Sequence, residues 1–167
     1  PDPTTIGLSP EERKQFLSLS PQLREMFQRY QMDYHIRPYF YKARPDHNII
    51  GMHVDEAIYA PLYYDYGQSD QYGDRARYLR YIEDHILELA PHTVNVLVKA
   101  TPQVIRRRLK DNPHEDSLVK DKDIEYVLER FEQEYEWSKL QNKLVLDTSE
   151  ATVDETLAEF LKRYEPF

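Results

Sequence analysis

The spacing of apolar and polar positions divides the chain into helix-length and strand-length segments. Ser9-Pro10-Glu11-Glu12 predicts a helix start. The serine caps the first turn, the proline takes a position whose N–H is unpaired in any helix, and Glu12 reaches back to the cap. Ser20-Pro21 repeats the signal, and the segment after it carries Leu23, Met26, Phe27 and Tyr30 at helical spacing. Pro38 ends or bends that helix. Pro45-Asp46 reads as a turn. Residues 48–55, a short and mostly apolar run closed by Asp55, predict a buried strand. Residues 59–73, rich in Tyr, Asp and Gly, read as an ordered loop with room for a short helical turn.

A long helix is predicted from Asp74, with Tyr78, Leu79, Ile82, Ile86 and Leu89 on one face and Pro91 as its stop. Residues 93–98, rich in β-branched side chains, predict a second strand. Thr101-Pro102 opens another helix through Arg106, Arg107, Arg108 and Leu109. Residues 111–121 are polar, contain Pro113 and read as a mobile loop. Asp123 starts an amphipathic helix with Ile124, Val127, Leu128, Phe131, Tyr135 and Ser138 on one face. Residues 143–147 predict a third strand. Thr152-Val153-Asp154-Glu155 is a capping box for a last helix, with Val153, Leu157, Phe160, Leu161 and Tyr164 turned inward.

Strands alternating with helices predict an α/β fold: a parallel sheet flanked by helices on both faces, in one domain over residues 1–167. Such sheets take ligands at the carboxyl ends of their strands. Asp55, Ala100-Thr101 and Asp147-Thr148-Ser149 fall at those ends.

Charge narrows the choice of partner. The net charge is −8, which disfavours tracking a nucleic-acid polymer or lying on an anionic membrane surface. No apolar run is long enough to span a bilayer, and no signal peptide is visible. The absence of cysteine excludes disulfides and thiolate metal sites and is compatible with a reducing cytosol, so a cytoplasmic protein is expected. The six histidines have no metal spacing, and there is no G-x-S-x-G elbow.

The order of elements from Thr93 to Tyr164 resembles the end of the thymidylate kinase and deoxynucleoside kinase group of P-loop kinases. It runs strand, Thr-Pro helix with arginines, polar lid, amphipathic helix, short strand ending in Asp147, and final helix. Asp55-Glu56-Ala57-Ile58-Tyr59 sits where that group carries an acidic or Asp-Arg motif after its third strand. Pro1-Asp2-Pro3-Thr4-Thr5-Ile6-Gly7 is similar to the group's Glu-Pro-rich segment. The resemblance implies a three-layer α/β/α kinase-like fold, with acceptor-binding helices over 9–42, a core over 48–100, a lid region over 101–122, and carboxy-terminal helices and strand over 123–167. It implies ATP and Mg²⁺ as cofactors, a nucleoside, nucleotide or similar small acceptor, and a homodimer formed through helices.

Three departures stand beside it. The phosphate-cradling G-x-x-x-x-G-K-S/T does not occur among the four glycines. The resemblance places that loop, with the first strand, before Pro1, so the expected setting is a longer kinase-like protein and the chain as given is expected not to turn over ATP. Glu56 stands where the group commonly has arginine, which disfavours a phosphorylated acceptor. After Arg108, the lid offers Lys110, Asn112 and His114 in place of further arginines.

By this resemblance Asp55 holds the water shell of Mg²⁺ or accepts a proton from the attacking hydroxyl, with Glu56 in support; a strand-end acid also simply caps the next turn. Arg108 matches the lid arginine that stabilises the transferring phosphoryl group. Arg106 and Arg107, with Thr148 and Ser149, are implied on the nucleotide side. Consecutive arginines fan around a helix and cannot share one job. Asp2, Phe27, Gln28, Gln31, Arg37 and Tyr59 are implied on the acceptor side. Phe27 and Tyr30 at helical spacing also fit an ordinary core face. The alternative function is a non-catalytic binding or scaffold domain derived from the kinase fold.

Overall fold

Short polar residues set most of the helix starts. In the computed structural model, which describes residues 8–42, 48–113 and 118–165, α1 spans Pro10–Leu17 with the Ser9–Glu12 capping box closed in both directions. The Ser20 hydroxyl accepts from Leu23 N–H at the start of α2, Pro21–His35. The short α3, Pro38–Lys42, begins at the proline predicted to end α2. Helix α4, His53–Tyr59, runs into a π-helical turn, Ala60–Tyr64, and α5 covers Arg75–Leu89. There follow β1, Val94–Lys99; α6, Pro102–Asp111; a 3₁₀ turn, Asp121–Asp123; α7, Ile124–Trp137; β2, Asn142–Asp147; and α8, Val153–Tyr164. The predicted turn at Pro45-Asp46 and part of the predicted polar loop lie outside the described residues.

The chain forms two compact units, Pro1–His85 and Ile86–Phe167, with the boundary inside α5. The first is helical, and Met32, Ile36, Ala57, Ile58, Ala60, Leu79 and Ile82 are buried in it. The second is α/β. Its strands β1 and β2 pair in parallel from Val94↔Asn142 to Lys99↔Asp147. The connection between them runs through α6 and α7; α7 packs on β1 and α8 on β2. Ile124, Val127, Tyr135, Leu144 and Leu146 are buried there.

Three expectations are corrected. Residues 48–55 are not a strand: 48–50 have no regular structure, and Asp55 lies in the first turn of α4. Gly51 and Met52 both take positive φ, 76° and 62°, which breaks an extended run at its middle. Ile50 is 91% exposed rather than buried, and among the described residues no strand pairs with this run. Asp55 and Glu56 instead meet the positive end of a helix. Second, among the described residues the sheet has two strands, not three or more with helices over both faces. Third, Val153, Leu157, Leu161 and Tyr164 are exposed on α8, because a two-stranded sheet is too narrow to cover that face. The apolar positions noted in α2 behave likewise: Leu23, Met26, Phe27 and Tyr30 are exposed, while Glu25 and Met32 are buried.

Candidate functional site

In the amino-terminal unit, the first turn of α4 carries two acids with different surroundings. Glu56 faces a buried cation. Its Oε2 accepts from Arg75 Nε at 3.2 Å and from the Tyr66 hydroxyl at 3.0 Å. Arg75 is 1% exposed and also donates to Glu25, through Nη1 to Oε1 at 2.9 Å and Nη2 to the backbone oxygen at 3.1 Å. One guanidinium thus ties α5 to α2 and α4. Burial pushes Glu56 above the usual carboxylate range, and Arg75 and Tyr66 oppose that shift. Its charge is engaged in the core, which accounts for an acid where the resemblance leads one to expect arginine.

Among the described residues, no lysine or arginine is paired with Asp55 in this way. Burial pushes its carboxyl up to about 6, the charge of Glu56 adds to the rise, and His53 opposes it. The carboxylate packs directly on Gly51, where a Cβ would fall 2.1 Å from Oδ2. One turn along the same helix, Tyr59 is pushed up to about 12, first by burial and then by Asp55. Asp55 and Tyr59 therefore share a face of α4. Both ring nitrogens of the adjacent His53 are buried without a hydrogen-bond partner among the described residues, and Nε2 lies 3.9 Å from Glu83 Oε1. A carboxyl that titrates close to neutrality is chemically able to take and return a proton.

The other acceptor-side residues are spread along α2 and beyond. Phe27 is exposed and meets Phe16 edge-to-face at 5.3 Å. Gln28 borders a small cavity of about 40 Å³ with Arg24, Tyr64 and Tyr66. Gln31 is half-buried, and its carbonyl lies 2.8 Å from His35 Nδ1. Arg37 is exposed, with its guanidinium 5.7 Å from the centre of the Tyr34 ring. Asp2 lies outside the described residues. A larger cleft of about 350 Å³ opens beside the start of α2, walled by Gln22, Glu25, Asp65, Gln68 and Gln71 with Tyr66 and Tyr72.

In the second unit, Arg106 and Arg108 leave α6 in different directions. Arg106 donates to Asp121 Oδ1 at 3.0 Å and to both oxygens of Glu125 at 2.7 and 2.8 Å. Arg108 donates to Thr148, through Nη1 to Oγ1 at 3.0 Å and Nη2 to the backbone oxygen at 2.6 Å. Thr148 N–H continues the ladder to the Lys99 oxygen at 2.8 Å. Ser149 Oγ accepts from Thr101 N–H at 3.0 Å and donates to Asp147 Oδ1 at 2.6 Å, which holds Asp147 below its ordinary range. The turns after β1 and β2 are thereby locked side by side at the carboxyl ends of the sheet. Arg107 is exposed and takes part in none of these contacts.

Among the described residues, no group of three or more His, Asp or Glu side chains is placed to hold a metal ion. A single carboxylate such as Asp55 suits only a cation that keeps most of its waters, as Mg²⁺ does. Sequence reasoning missed Arg75 and Glu25; Tyr66 stands in the aromatic stretch Tyr59, Tyr63, Tyr64 and Tyr66 that the sequence places beside the acceptor pocket or as packing for its own loop. The available signal was Glu25 standing seven residues before Met32, on one helical face. Comparison of the chain with family models, characterised proteins and solved structures finds no match.

Proposed function

We propose that this chain supplies the acceptor side of an ATP-dependent phosphoryl transfer to a nucleoside, nucleotide or similar small acceptor. Asp55 takes the proton of the attacking hydroxyl, with Tyr59 beside it on the same helix face. The observation that carries the reading is the half-buried Asp55 carboxyl, raised to about 6 while neighbouring Glu56 is held by Arg75. Mg²⁺, where present, neutralises charge on the phosphates, and Asp55 is the residue that would hold its water shell. Arg108 and the loop at Thr148-Ser149 lie on the nucleotide side, with exposed Arg107 left for phosphate. The phosphate cradle comes from another segment, since this sequence has no P-loop.

The test has two parts. The chain alone should release no phosphate from ATP; turnover by this polypeptide would overturn the division of roles. In a protein that joins this chain to a P-loop segment, Asp55→Asn should lower kcat by about 10²–10⁴ without loss of fold.

A second reading, a binding or scaffold domain derived from the same fold, is favoured by one observation. Arg106 is occupied by Asp121 and Glu125, and so is not open to a phosphate. On that reading Asp55→Asn leaves partner binding intact, and no acceptor is phosphorylated in the joined protein.

A further inference from the structure

We infer that Gly51 is a positioning residue for Asp55: its bare backbone is the seat on which the Asp55 carboxylate rests at the start of α4. This role rests on the proton-accepting part proposed for Asp55, but the seat itself can be measured without the reaction.

The central observation is a shared space. The three atoms that a Cβ at Gly51 would meet first all belong to the Asp55 carboxyl, with Cγ at 2.7 Å, Oδ1 at 3.2 Å and Oδ2 closer still. The carboxyl thus occupies the volume that a side chain at position 51 would take. The backbone brings the two together. Gly51 has φ +76°, and Met52 after it has φ 62° and ψ −118°. Consecutive positive φ values turn the chain sharply before it enters the helix. Glycine takes such a conformation freely, whereas Met52 takes it at a cost that the surrounding structure must offset. The Met52 carbonyl accepts from Glu56 N–H at 3.1 Å, which ties this turn to the first turn of α4.

Asp55 is also released from the task that an acid at its position performs elsewhere in this chain. It is the third residue of α4. In α1 and α8 the third residue is a glutamate, and Glu12 and Glu155 each accept from the cap N–H at 2.8 Å. Helix α4 starts at Met52 with no side-chain capping bond. Asp55 lies half-buried against Gly51 instead, on the helix face it shares with Tyr59. The backbone at 51 walls one side of the carboxyl and so restricts its rotamers. A carboxylate that must meet one hydroxyl needs a single orientation, because misplacement of a reacting group slows the reaction steeply. Any side chain at position 51 would push the carboxyl off its seat, since the carboxyl is the free end that can swing away.

The experiment measures the Asp55 χ1 angle by NMR in the ¹³C,¹⁵N-labelled chain, from the three-bond couplings between Hα and the two Hβ protons. In the parent, one rotamer should hold more than about nine-tenths of the population, and in Gly51→Ala the couplings should average over several. A double-mutant cycle gives the energetic side. By urea titration, Gly51→Ala should raise the unfolding constant at least about tenfold more in the parent than in an Asp55→Ala background, where the carboxyl is gone and only the backbone cost remains. If Gly51→Ala fails to fold, recovery of folding in the Asp55→Ala background supports the seat, and failure in both backgrounds overturns it. Averaged couplings in the parent, an unchanged rotamer in Gly51→Ala, or equal costs in the two backgrounds would also overturn it, leaving Gly51 to serve the turn alone. A parent with one Asp55 rotamer that transfers no phosphoryl group once joined to a P-loop segment keeps the seat and loses the reaction, so the two failures are told apart.

Discussion

Arg75 reaches Glu25 across fifty positions of sequence, with Nη1 donating to Oε1 at 2.9 Å and both side chains 1% exposed. The same guanidinium holds Glu56 through Nε. Two carboxylates on two helices thus share one buried cation, Glu25 having Arg29 as a second partner. Removing it leaves Glu56 with only the Tyr66 hydroxyl and Glu25 with only Arg29, and breaking a buried pair costs far more than the intact pair contributes.

Arg75→Met should therefore lower stability by about 3–5 kcal/mol. Arg75→Lys should recover only part of the loss, since an ammonium cannot reproduce the fork that spans Glu25 and Glu56. Urea titrations of the two variants against the parent measure both. Equal midpoints for Arg75→Met and the parent would mean that the triad contributes nothing to folding.

Asp55 gives stability a pH dependence of defined sign. Its carboxyl is raised from 3.8 to about 6 in the folded chain, so the folded state holds that proton more tightly than the unfolded state. The resulting stabilisation is fully present below the unfolded value and is lost as pH rises through about 6. Asp55→Asn is neutral throughout. It should melt with the parent at about pH 3.5 and above it at about pH 7.5, the two curves separating across the interval between. Thermal melts along a pH series decide this; a constant offset between the proteins would refute the raised titration.

Gly67 has φ +84°, and a Cβ on it would fall 2.5 Å from Arg75 Cγ. Gly67→Ala carries both the backbone cost and a clash with the buried arginine, and should destabilise by about 1–3 kcal/mol. Calorimetry on this variant, beside an alanine placed at exposed Ser69, separates a specific effect from a general one.

The two structured arginines of α6 should respond differently to salt. Half-buried Arg106 is held by the exposed carboxylates of Asp121 and Glu125, so the effect of Arg106→Ala on Tm should shrink as NaCl is raised to about 1 M. Arg108 donates to the uncharged Thr148, and the effect of Arg108→Ala should change less with salt. Identical salt profiles for the two variants would contradict these assignments.

What could be read along the chain was whatever closes over a few residues. The caps at Ser9, Ser20, Thr101 and Thr152 each accept from an N–H three residues on, as Ser-Pro, Thr-Pro and Thr-x-x-Glu foretell. The strands at 94–99 and 142–147 were legible from their β-branched and apolar composition. Residues 48–55 have similar composition and were misread, because a strand exists only beside a partner and none of the described strands lies against them. Asp55 and Glu56 were singled out from sequence, but their contrast was not visible there: Glu56 is paired with Arg75, nineteen residues away, and Asp55 is left to titrate near neutrality. The sequence by itself thus determined where helices begin, which residues alternate, and that the chain carries no P-loop. Tertiary structure decided which face of α2 is buried, which acid is paired with a buried arginine, and that Glu25 is drawn into the core against Arg75. Burial and charge pairing depend on groups brought together from distant positions, and neither composition nor periodicity records those distances.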